Sequence, residues 1–126
     1  MTTSEKALSG YAAAARPVRT DRGLEYAVFA RITSSLREVD ETDTAMRPAL
    51  TRAVMDNLGL WRTLASDLRR DGNALPLELR GQLLSLAGFV RRHSYAVMNG
   101  QDTIDPLIDI NTSIMRGLRG EVETAA

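Results

Sequence analysis

The 126-residue sequence contains no cysteine. Disulfides, thiol nucleophiles and cysteine-ligated metals are therefore excluded. It has a single histidine, His93, and no supporting motif for a serine–histidine–aspartate arrangement. Aromatic residues make up only 5% of the chain, with one tryptophan. Charge of one sign is also missing: 16 basic and 16 acidic side chains give a formal net charge of zero. A nucleic-acid binder relying on an overall positive field is thus disfavoured, although a local basic patch remains compatible with the composition. No apolar run approaches the roughly 18 residues of a membrane span, so no membrane insertion is expected. The first residues, MTTSEKALSGYAAAARPVRT, lack a long hydrophobic stretch. That predicts no signal peptide and a cytoplasmic location. Glycine-rich phosphate loops are absent, and DGN and NGQD read as turns.

What is present is helical periodicity. The apolar fraction of 44% and charged fraction of 25% are ordinary for one globular domain of this length. Nothing alternates with period two. Residues 1–20 show no sustained period and are expected to form a flexible N-terminal arm. From Asp21, a plausible N-cap, Leu24, Val28, Ile32, Leu36 and Val39 recur at helical steps, with Phe29 beside them. A second helix is expected from Thr42 or Asp43, with Pro48 in its first turns and Met46, Leu50, Val54, Leu58, Trp61, Leu64 and Leu68 on its apolar side. Gly59 weakens it by about 1 kcal/mol relative to alanine and predicts either a kink or a close helix approach.

The segment SDLRRDGNALPLELRGQLLSL, residues 66–86, reads as a helix stop, a turn and a helix start. Gly72 is expected as a left-handed C-cap and Pro76 as the first residue of the third helix. That helix carries Leu79, Leu83, Leu86, Val90 and Val97 and should end at Asn99-Gly100. A fourth helix follows Asp102-Thr-Ile-Asp-Pro, with Gly117 and Gly120 expected to unwind its end and 121–126 to form a disordered tail. The expected fold is all-α: an antiparallel bundle of about four main helices over 21–120.

Several residues invite a functional reading, and each has a plainer one. His93 could accept a phosphoryl group, as in histidine phosphotransfer domains, but Ser94, Tyr95, Ala96 and Val97 follow where those domains place a lysine and small residues. Asp102, Asp105 and Asp109 stand at helical spacing, yet acids at a positive helix end explain them without a metal. Arg69, Arg70, Arg80, Arg91 and Arg92 could contact RNA, or could form a solvated face. Trp61 reads as a core anchor. The second and third helices nevertheless carry apolar residues over more than one stripe, which fits a central position or a partner helix. Asn111 interrupts the apolar stripe of the fourth helix. A buried amide there needs partners and would fix register.

The order of these motifs resembles the flagellar biosynthesis regulator FlaF family of alphaproteobacteria. The Leu60-Trp61 pair is followed by Asp67-Leu68, then by Asn73, Leu75, Pro76, Leu79 and Arg80 in the pattern N-x-L-P-x-x-L-R. Leu83, Ser85 and Leu86 continue it. Pro106, Leu107, Ile108, Ile110, Asn111, Ile114, Gly117 and Leu118 match the closing P-L-I-x-I-N-x-x-I-x-x-G-L. The segment at Gly88-Phe89 departs by carrying phenylalanine rather than a tryptophan-like residue.

The resemblance implies a small cytoplasmic protein of flagellum assembly, neither an enzyme nor dependent on a cofactor. It implies an export chaperone for flagellin that also influences flagellin synthesis. The expected partners are flagellin, through its helical terminal region, and the flagellar export machinery. The residues expected to line an apolar groove are Leu60, Trp61, Leu64, Phe89 and Val97, with Arg80 and Arg92 as rim charges. Two alternatives are an RNA-associated regulator of flagellin expression and a phosphotransfer domain using His93.

Overall fold

A computed structural model describes the backbone of residues 26–125 and the side chains of 26–117. The expected arm over 1–20, the Asp21 cap and Leu24 lie outside the described residues. Four helices follow in order: α1 Tyr26–Arg37, α2 Arg47–Leu68, α3 Leu77–Met98 and α4 Asp105–Ala125. A single 3-10 turn, Thr44–Met46, leads into α2. No strand occurs among the described residues.

The helices form a ring. α2 packs most extensively on α3, α1 packs on α4 and on α2, and α3 and α4 touch least among the described residues. Arg47 at the start of α2 donates to the carbonyl of Met98 at the end of α3 (3.3 Å), as antiparallel neighbours require. The expected stripes meet inside the ring. Phe29, Leu36, Leu50, Val54, Leu58, Trp61, Leu68, Leu83, Val90, Val97 and Leu107 are all fully buried. Phe29 of α1 meets Trp61 of α2 edge to face, with ring centroids 6.2 Å apart.

A polar network sits within this apolar core. Asn111 Oδ1 on α4 accepts from the indole Nε1 of Trp61 (2.9 Å). Asn111 Nδ2 donates to Asn57 Oδ1 on α2 (2.7 Å) and to Thr33 Oγ1 on α1 (3.2 Å). All four side chains are buried. One amide therefore fixes three helices in register, as its place on the apolar stripe predicted.

The connections differ in device. After α1, Asp40 accepts from the hydroxyl (2.6 Å) and amide (2.9 Å) of Thr42, and these bonds hold its carboxyl below the usual range. Asp43 then caps the 3-10 turn through Ala45 N. Between α2 and α3 the expected left-handed Gly72 is not found: among the described residues only Gly100 has positive φ. Asn73 organises that turn instead. Its Nδ2 donates to the carbonyl (3.1 Å) and carboxylate (3.2 Å) of Asp67, and its Oδ1 accepts from Leu75 N (3.0 Å). Pro76 is the N-cap of α3, one position earlier than expected.

The end of α3 is as predicted. Gly100 has φ +74°, Gly100 N donates to Val97 O, and Gln101 N donates to Ala96 O, which together make a Schellman motif. The loop into α4 is tied down by Ile104 N donating to Glu41 Oε1 (2.6 Å).

Two further glycine expectations fail. α2 runs unbroken through Gly59, and a Cβ there would meet nothing within 4 Å, so that glycine does not bring helices together. α4 continues through Gly117 and Gly120 to Ala125, beyond the boundary expected at residue 120. A glycine costs a helix only about 1 kcal/mol, which neighbouring turns can carry.

Two substitutions probe this core. Asn111→Ala leaves the Trp61 indole, Asn57 and Thr33 without their shared partner and should lower stability by about 2–4 kcal/mol in urea denaturation, with near-native helicity before the transition. Leu64, expected as a groove residue, is buried. Leu64→Asp should therefore cost more than about 4 kcal/mol, read as loss of the folded baseline by circular dichroism.

Candidate functional site

The structure separates the seven residues expected to bind a partner. Trp61, Leu64 and Val97 are buried in the core and present no surface. This corrects the groove expectation. Periodicity places these residues on an apolar stripe but cannot say that the stripe already faces three other helices.

The remaining four lie on different sides. Arg62 Nη2 donates to the Tyr95 hydroxyl (3.0 Å), which identifies the flanks of α2 and α3 that face each other. Arg80 shares the Tyr95 side of α3. Leu60 is half-buried on the opposite flank of α2, in helical phase with Ala53 and Leu64. Arg92 is on the outer surface, its Nη1 3.3 Å from where a Gly88 Cβ would stand. Phe89 is 37% exposed on the flank of α3 that turns toward α4.

His93 occupies that same flank. Its ring stacks on Phe89, with centroids 5.2 Å apart and planes 17° from parallel. Nε2–H donates to the carbonyl of Thr103 (2.8 Å), and Nδ1 stands 3.8 Å from the Asp102 carboxylate. Only 8% of the residue is exposed, and Nε2 is committed to the Thr103 carbonyl. The histidine instead clamps the loop between α3 and α4. Asp102 serves this clamp, and Asp105 lies in the first turn of α4, where the helix dipole favours it. Among the described residues no group of three histidine or acidic side chains could hold a metal ion.

What this clamp closes is the seam where the helices touch least. Helical phase puts Leu86 and Phe89 on the His93 flank of α3, and Ile110 on the flank of α4 away from Thr112, which bonds to Arg37 of α1. Leu86 and Ile110 are partly buried against the core. Phe89 is the apolar side chain left open at this edge. Sequence reasoning found Phe89 but missed Leu86 and Ile110 as its company. The signal was there in the breadth of apolar cover on α3, which exceeds one stripe.

The five arginines considered for RNA are also divided. Arg69, Arg80 and Arg91 follow the α2–α3 side. Arg70 turns to Asp67 (3.5 Å), and Arg92 stands on a different face.

No described helix is long and apolar enough to cross a membrane. No curated protein and no solved structure matches the chain. A family model described as Flagellar protein FlaF matches residues 7–118. The residues that carry the resemblance have structural work in this fold: Trp61 and Asn111 form the buried network, and Asn73 and Pro76 shape the turn between α2 and α3. With the match spanning nearly all of the sequence, the chain belongs to the FlaF family of flagellar proteins.

Proposed function

We propose that this protein binds unassembled flagellin in the cytoplasm as an export chaperone, and that this binding links flagellin synthesis and secretion to flagellum assembly. Membership in a flagellar family supports the setting. The observation that carries the binding mode is Phe89, exposed at the loosely packed α3–α4 seam beside Leu86 and Ile110. An amphipathic helix seated there would cover Phe89 and gain apolar burial worth about 25 cal/mol per Å². The helical terminal region of flagellin is the proposed occupant. Held in this form, its apolar face is withheld from other flagellin monomers until export, and the export machinery is the proposed second contact.

The role is one of binding rather than catalysis. Ser94, the hydroxyl nearest His93 in sequence, is buried and donates to Val90 O (2.6 Å), so it is engaged within its own helix. The RNA-associated alternative has less support, because net charge is zero and Arg70 and Arg92 fall away from the other arginines.

Phe89→Asp tests the proposal directly. Titrated with purified flagellin, the variant should bind at least about 10-fold more weakly, a loss of roughly 1.4 kcal/mol or more, while circular dichroism shows it helical and folded at the temperature of the titration. Wild-type affinity in a folded variant would remove the α3–α4 seam as the site.

A further inference from the structure

The opposite edge of α3 has a different chemistry. Along α2, the residues Thr51, Met55, Gly59, Arg62, Ser66 and Arg69 follow one another at steps of three or four, and all are exposed. Along α3, Leu77, Arg80, Leu84, Gly88, Arg91 and Tyr95 share that spacing; Leu77, Arg91 and Tyr95 are exposed, and Arg80, Leu84 and Gly88 are partly buried. The 3.0 Å hydrogen bond from Arg62 to Tyr95 sets these two stripes side by side. They form one continuous face running along both helices.

Three features of this face are not accounted for by contacts among the described residues. First, it exposes large apolar groups: Leu77 is 77% accessible, and Met55 and Tyr95 are each 42% accessible. Second, its arginines have no carboxylate partner among the described residues. Neither stripe contains an aspartate or glutamate, and among the described residues none of Arg62, Arg69, Arg80 and Arg91 takes part in an ion pair. The Nε of Arg80 is buried without a hydrogen-bond partner. Third, Gly59 lies mid-helix in the stripe, where a Cβ would meet nothing. It lowers helix propensity without serving a contact inside the chain, and it leaves the backbone open to close approach.

We propose that this α2–α3 face is a second docking surface, fitted to an amphipathic helix of another protein that carries carboxylates beside its apolar stripe. Carboxylates would pair with the four arginines, which recognise them through planar, bidentate hydrogen bonds. The apolar stripe would cover Met55, Leu84 and Tyr95. Arginine, tyrosine and methionine are the residue types enriched where proteins meet. A single-stranded nucleic acid would call for several stacking aromatics, and Tyr95 is the one exposed aromatic in the two stripes. This surface is independent of the seam at Phe89, which lies on the other edge of α3.

The full chain can be titrated with two synthetic helical peptides of about six turns. Both carry one leucine stripe, flanked by glutamates in one and by lysines in the other, and binding is read by fluorescence anisotropy. The glutamate peptide should bind at least about 10-fold tighter than the lysine peptide, and its affinity should fall as salt rises. R62E/R91E should weaken it about 10-fold or more, and Phe89→Asp should leave it unchanged. If the double reversal lowers the thermal transition, R62Q/R91Q takes its place, with a smaller loss expected in the same direction. Equal binding of the two peptides, no effect of either double variant, or loss on Phe89→Asp would overturn the proposal. So would binding of a single-stranded RNA oligonucleotide that displaces the glutamate peptide and is itself abolished by R62E/R91E, which would reassign the face to nucleic acid.

Discussion

The fold hangs on one amide in an apolar core. Asn111 reaches across the ring from α4 to the diagonally placed α2, where its oxygen takes the indole proton of Trp61 and its nitrogen serves Asn57, and it also reaches Thr33 on α1. Hydrophobic burial alone would let these helices slide by a turn at little cost, because leucine meets leucine equally well at several registers. A buried donor or acceptor without a partner costs about 1–3 kcal/mol, so the network singles out one register. It is not saturated: Asn57 Nδ2 is buried without a partner. The edge-to-face contact between Phe29 and Trp61 adds orientation at the same level of the bundle.

The two ends of the bundle are held by different means. At one end, α2 and α3 are joined by a turn that Asn73 holds to Asp67 and Leu75. At the other, separate ties converge on the connection between α3 and α4: Arg47 to Met98, Glu41 to Ile104, and His93 to Thr103. These ties accompany the sparse contact between α3 and α4 among the described residues. A helix pair secured at its ends but thinly packed along its seam can leave Phe89 at the surface without losing the fold. In this way the clamp around His93 is the structural condition for an accessible apolar edge.

α3 is the element on which the proposed functions turn. One side is committed to the core, and its two edges differ. The edge toward α4 is apolar, with Phe89 open. The edge toward α2 alternates exposed apolar groups with arginines that have no carboxylate partners among the described residues. Net charge is zero over the whole chain, so this local excess of positive charge reflects placement rather than composition.

The sequence by itself determined the four helical stretches and the stop at Gly100, because 3.6-residue periodicity and the residues Pro76 and Gly100 act within a turn or two of where they stand; α2 begins at Arg47, four residues after the expected Asp43, which caps the 3-10 turn instead. It also determined that Asn111 must be satisfied internally, since an amide on an apolar stripe has no other outlet. Local rules misjudged Gly59, Gly72 and the last turns of α4, where a glycine's conformational freedom goes unused. What only the tertiary structure decided was which apolar residues are interior. Trp61, Leu64, Val97, Leu60 and Phe89 look alike in the sequence, yet the ring order of the helices buries the first three and sends Leu60 and Phe89 to different sides. The same ring order sets Arg62 beside Tyr95 and gathers the arginines of two helices onto one face. The physical reason is that period and propensity are properties of single helices, whereas exposure, neighbourhood and charge compensation belong to their packing.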